Sequence, residues 1–232
     1  MTTETVSPAE ALVNAIKQRA HWRVLLEPTT YVQRYPQRKA ARDAVRESVV
    51  HLRGWDFPHF DEGTRHGGNG PIDAGWESWT HWKDMEAWRI YVSGQFIHYL
   101  SLREDSDRRA FPQGHQPFLD MVATVYQLTE LFEFASRLVA TADFEPSVSV
   151  EIQLAGMEGR QLVSGEPLQV MLREYVCPKP AIRIRRTLPV DELRLRPAQQ
   201  AATAAAELFE WFGFTPHMSV TTDIQAELLR RG

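Results

Sequence analysis

The sequence predicts an α+β fold, a mixed or mainly antiparallel sheet with helices packed on it. Three observations carry that expectation. Segments with a period of two come in neighbouring groups. Helical segments with a period of three to four stand alone between those groups. The order does not alternate strand with helix, as a doubly wound parallel sheet would require. The chain has 232 residues, 43% hydrophobic and 24% charged, enough to bury a core without disulfides. It reads as a single domain over residues 1–232, with short helical segments at both termini.

Ser7-Pro8-Ala9-Glu10 is a capping box with proline at the first helical position, and Leu12, Val13 and Ile16 follow at helical spacing. His21 to Glu27 reads as a strand, because Trp22, Val24 and Leu26 alternate with mostly polar neighbours. Gln37 to Leu52 reads as a helix with Ala41, Val45, Val49 and Leu52 on one face, stopped by Gly54. Asp61 to Gly75 holds five glycines and a proline and reads as a mobile loop. Trp76 to Arg103 reads as an antiparallel meander, turned at Ser93-Gly94.

Pro117 to Thr141 is the strongest helical pattern, with Phe118, Met121, Val125, Leu128, Phe132, Ala135 and Leu138 in step. Val148, Val150, Ile152 and Leu154 mark a half-buried strand. Gly156 to Gly159 turns it, and Arg160 to Val163 reads as a return. Val170 to Val176 fits either type of element. Ala181 to Thr187 reads as a strand and Pro197 to Phe212 as a helix. Thr222-Asp223-Ile224-Gln225 reads as a second capping box that opens a C-terminal helix.

Composition narrows the function classes. One cysteine, Cys177, excludes an intramolecular disulfide and fits a reducing compartment. Met1 to Glu10 lacks the basic and apolar regions of a signal peptide. No apolar run approaches the roughly 20 residues of a membrane helix. A cytoplasmic location and no membrane partner are therefore expected. The net charge of −4 argues against a dedicated nucleic-acid binder.

The aromatic residues are unevenly spread. Trp55 to Tyr99 holds ten of the 24, including five of the seven tryptophans. Such a segment suits a stacking platform or an aromatic-lined pocket. Core packing explains the same residues, since strands favour aromatics. If Trp76 to Trp82 is a strand, Trp79 faces away from Trp76 and Trp82. Trp55, His59, Trp76, Trp79, Trp82 and Trp88 are the candidates for binding a ligand or a partner chain.

His59, Asp61 and His66 lie close enough in sequence to serve a metal-dependent hydrolase or nuclease. No His-Glu-x-x-His, His-x-His or Cys-x-x-Cys pattern supports them, and no cofactor or metal is assigned. No Gly-x-Ser-x-Gly elbow and no phosphate-binding glycine loop occurs, and Cys177 has no local signature of a nucleophile. Arg183, Arg185 and Arg186 form a basic strand that would suit phosphate or an acidic partner. Arg38, Arg42 and Arg46 repeat every four residues on one helix. Both groups also read as solvated faces.

The phrase Leu52-Arg53-Gly54-Trp55-Asp56-Phe57-Pro58-His59, followed by Trp88 to Leu102, resembles an uncharacterised domain of bacterial proteins loosely associated with Schlafen/AlbA-like chains. The resemblance covers about a third of the chain and carries no catalytic residues with it. It implies a regulatory or accessory role in a bacterium. The first reading is therefore a non-enzymatic binding or sensor domain that recognises a ligand or a partner chain, including a second copy of itself, through the aromatic region. A hydrolase built on His59, Asp61 and His66 is the second. Nucleic-acid association through the basic strand is the third.

Overall fold

A strand with one apolar face must bury that face, and an extended antiparallel ladder lets several such strands share one core. The computed structural model describes residues 7–63, 65–82, 84–106, 117–164 and 173–231. Its elements run α1 (Pro8–Lys17), β1 (His21–Pro28), α2 (Arg38–Ser48), β2 (Gly67–Ile72), β3 (Gly75–Thr80), β4 (Glu86–Tyr91) and β5 (Phe96–Ser101). There follow α3 (Arg103–Ser106), β6 (Phe118–Asp120), α4 (Met121–Leu138), β7 (Ser147–Ala155), β8 (Gln161–Val163) and β9 (Ala181–Pro189). Three helices close the chain: α5 (Val190–Leu195), α6 (Pro197–Glu210) and α7 (Met218–Arg231).

Seven strands form one antiparallel sheet in the order β2-β3-β4-β5-β1-β7-β9. The α+β expectation holds. β1 pairs with β5 on one side and β7 on the other, so Trp22 stands opposite both Leu100 and Leu154. Trp22, Val24 and Leu26 point into the core with Trp88, Ile90 and Phe96. On that face α4 packs Phe134 against Phe96, with ring centroids 4.8 Å apart. Arg42 of α2 lies over Trp76 of β3 on the same face. α1 covers the opposite face, where Lys17 sits 5.1 Å from the Tyr99 ring centroid.

α4 is buried on nearly all sides. It contacts α2 and α5 as well as α6 and α7. Several of its buried polar residues are paired inside the protein. Thr129 donates to the Val125 carbonyl and accepts from Gln225 of α7.

Several elements differ from the sequence reading. The loop expected over Asp61 to Gly75 contains an edge strand, β2, in register with β3. The glycines that suggested a loop permit this close pairing. A Cβ on Gly67 would collide with the Trp79 carbonyl, and one on Gly68 would lie 2.9 Å from the Trp79 indole. Pro71 is tolerated because the strand is at an edge. α2 ends at Ser48, and Val50 then bridges to Phe57.

α4 begins at Met121, four residues after Pro117, because Phe118–Asp120 pairs in parallel with β8 and Asp120 caps the helix. The return after Gly159 therefore runs to β6 and not back along β7. The ambiguous Val170 to Val176 lies partly outside the described residues. α7 starts at Met218, and Thr222 sits inside it, donating to the carbonyls of Met218 and Ser219. The Ser93-Gly94 turn forms as expected. Gly94 has φ +87°, and a Cβ there would meet the Phe144 ring at 2.9 Å.

Phe134 touches Phe96 and Phe57 at the contact between α4 and the sheet. Phe134→Ala is expected to lower the unfolding free energy by about 3–5 kcal/mol, read by urea denaturation. A loss below about 1 kcal/mol would show that this contact does not anchor the helix.

Candidate functional site

One row of residues across the sheet builds the floor of a cavity. Thr80 of β3 pairs with Glu86 of β4, Glu86 with Leu100 of β5, and Leu100 with Trp22 of β1. All four line the same hollow, at the end of the sheet where these strands start or stop. Ala123, Thr124 and Gln127 of α4 close it on the opposite side. Residues of the 53–59 segment form one wall, and Trp82, Asp84, Arg103 and Glu104 another. The cavity volume is about 320 Å³.

Polar bonds hold the 53–59 wall in place. Arg53 donates from Nε to Glu130 Oε1 (2.9 Å) and from Nη2 to Gln127 Oε1 (2.9 Å), and its second bond to Glu130 runs from Nη2 to Oε2. Burial pushes the Glu130 carboxyl up, and Arg53 counters part of that shift. The Arg53 and Arg103 guanidiniums lie 5.0 and 4.8 Å from the Trp55 ring centroid, a cation–π arrangement. The Phe57–Pro58 peptide is cis. Further along, the His59 backbone N–H donates to Glu86 Oε1 (2.8 Å), and the His59 carbonyl accepts from Trp88 Nε1 (2.7 Å).

Three of the four carboxyls on the cavity lining, Glu86, Asp84 and Glu104, have distinct environments. Burial raises the pKa of Glu86, but the His98 ring, 2.9 Å from Oε1, together with the His59 N–H, outweighs it and holds the group below its ordinary value. Burial drives Asp84 upward, with Arg103 and the Ser106 hydroxyl countering it in part. Glu104 is pushed up to about 7 by burial, against the opposing bond from the Asp120 N–H.

Thr124 is 1% exposed, and its hydroxyl is the one fully buried side-chain polar atom without a hydrogen-bond partner among the described residues. Leaving such a group unpaired costs about 1–3 kcal/mol.

Trp55 (44% exposed), His59 and Trp82 (71% exposed) come together at the cavity. Trp76 and Trp79 do not join them. Trp76 is half-buried, donating to Asn69 Oδ1 at 3.0 Å, and Trp79 points to the opposite sheet face. Trp88 is a core residue, tilted against Phe60. His66 stacks on Trp82, while Asp61 is buried and accepts from the Gly63 N–H. Among the described residues no group of three or more His, Cys, Asp or Glu is placed to hold a metal ion.

Arg183 and Arg185 lie on the exposed face of β9, near Gln153 and Ser149. Arg186 lies on the other face and pairs with Glu207 of α6 at 2.8 Å. The three arginines therefore do not form one surface. Cys177 is buried, which raises its thiol pKa.

Sequence reading missed Trp22, Thr124, Asp84, Glu86 and Glu104 as site residues. One signal was present for Glu86. It shares strand parity with Trp88 and Ile90, so an acid was aimed at an apolar face.

Comparison with models of known families, with curated proteins and with solved structures finds no match for this chain. The protein is thus defined by its own geometry. It is an α+β chain with an aromatic, carboxyl-bearing cavity between one end of its sheet and its central helix. No helix among the described residues is long and apolar enough to cross a membrane.

The raised pKa of Glu104 sets a direction for stability. The folded state holds this proton up to about pH 7, whereas the ordinary value is 4.5. Between those values the folded state binds more protons, so this group's contribution to stability falls as pH rises. Glu104→Gln is expected to lessen the loss of urea stability between about pH 5 and about pH 8. An unchanged slope would mean that the carboxyl is not desolvated.

Proposed function

We propose that this chain is a non-enzymatic binding or sensor domain whose ligand is a small organic molecule held in the cavity between α4 and the sheet. The observation that carries the reading is the cavity itself, about 320 Å³ in volume and lined by Trp22, Phe57 and Leu100 together with Thr80 and Thr124.

Size and lining support the same reading. Ligand pockets run from about 300 to 1,000 Å³, with mainly apolar walls and a few placed polar groups. At about 320 Å³ this one suits a single ring with a short side arm. Trp22, Phe57 and Leu100 supply apolar surface, while Thr80, Thr124 and the carboxyls supply direction. Two cavity-lining groups already have structural tasks: Arg53 ties its wall to α4, and Glu86 ties His98 to the 53–59 segment. These roles fit recognition better than turnover.

The test uses 2-phenylethanol as a neutral probe and intrinsic tryptophan fluorescence as the readout. Saturable quenching is expected, because the ring would lie against Trp22. Ala123 faces the cavity from α4, and Ala123→Phe is expected to fill the space and abolish the quenching while leaving the far-UV circular dichroism unchanged. Saturable quenching that survives Ala123→Phe would move the binding elsewhere and defeat the reading.

A further inference from the structure

Among the described residues the charges on the cavity lining do not balance. Arg53 and Arg103 are its described guanidiniums, and Arg53 pairs with Glu130. Arg103 is left to face Asp56, Asp84, Glu86 and Glu104. Asp56 lies 3.0 Å from the His51 ring, and Glu86 lies 2.9 Å from the His98 ring. Asp84 and Glu104 have no ion pair among the described residues. Desolvation raises the pKa of both, as expected for carboxyls taken from water. The other charges that act on Glu104 are Asp120 and Arg160, which oppose each other, and those on Asp84 are Arg103, Arg53 and Glu86.

The aromatic lining favours the same charge, since an indole face attracts a cation. Trp55 is already occupied by the two arginines, whereas among the described residues no cation lies over the Trp22 or Trp82 ring. Thr124 of α4 lies on the same lining, opposite Trp22 and Leu100.

We propose that the ligand is a small aromatic amine, its ring against Trp22 and Phe57 and its protonated amino group held by Asp84 and Glu104. This assignment rests on the small-molecule reading above. It adds the chemical class. The Trp22 and Leu100 end of the floor takes the ring, and Asp84 and Glu104 take the charge.

The test compares three probes with the same ring and similar reach on the full chain, by isothermal titration calorimetry near neutral pH. They are 2-phenylethylamine (cationic), 2-phenylethanol (neutral) and 3-phenylpropanoate (anionic). The amine is expected to bind about tenfold more tightly than the alcohol, the size of one charge-assisted hydrogen bond, and the propanoate is expected to bind most weakly. Asp84→Asn and Glu104→Gln should each bring the amine several-fold closer to the alcohol and leave the alcohol unchanged. An alcohol or propanoate that binds as tightly as the amine would overturn the cationic class while leaving the cavity as a ligand site. No saturable binding by any of the three would remove both.

Discussion

The pairing of β1 on both of its edges is the constraint on which the rest of the structure depends. β1 is the first strand in the chain, yet it lies between the meander of β3 to β5 and the pair β7 and β9. Its bonds to β5 and β7 join two halves that are far apart in sequence. Register carries the consequence. A slip of one residue would turn Trp22, Val24 and Leu26 out of the core and put Arg23 and Leu25 in their place. The same register sets Trp22 beside Leu100 and so completes the row Thr80, Glu86, Leu100 and Trp22. The core and the cavity floor are thus products of one ladder.

The opposite side of the cavity depends on a buried ion pair. Arg53 reaches from the segment after α2 to Glu130 and Gln127 of α4. Buried pairs of this kind add little net stability, but removing one partner strands the other charge. The pair therefore specifies position: it keeps Trp55 and His59 at the cavity and holds them to the same helix that carries Thr124. Glu86 and Thr124, two of the buried polar residues on the apolar side of the fold, both line this space. Glu86 is bonded into the surrounding structure through Oε1, by His98 and His59. Thr124 is not.

Much of the fold was legible because local patterns and tertiary packing agreed. β1, β7 and β9 follow their period of two, and Ser93-Gly94 turns where a positive φ is needed. The failures have physical causes. β2 is rich in glycine, and glycine carries no side-chain period, so only its partner Trp79 reveals why the segment is extended. Asp120 caps α4 after a short parallel pairing with residues some 40 positions away, which no local pattern records. The aromatic concentration was a mixed guide. Trp55 and Trp82 reach the cavity, Trp88 is core, and Trp76 and Trp79 lie on opposite faces of one strand. Trp22, outside that segment, supplies the floor. Cavity residues such as Thr124 and Glu104 acquire meaning only when α3 and α4 are set against the sheet.

Fluorine NMR of the protein labelled with 5-fluorotryptophan addresses the cavity most directly, with each resonance assigned by a single Trp→Phe variant. During titration with 2-phenylethylamine, the Trp22, Trp55 and Trp82 signals should move together along one saturation curve, while those of Trp79 and Trp211 hold still. A Trp22 signal that stays fixed while Trp79 or Trp211 moves would contradict binding between α4 and the sheet.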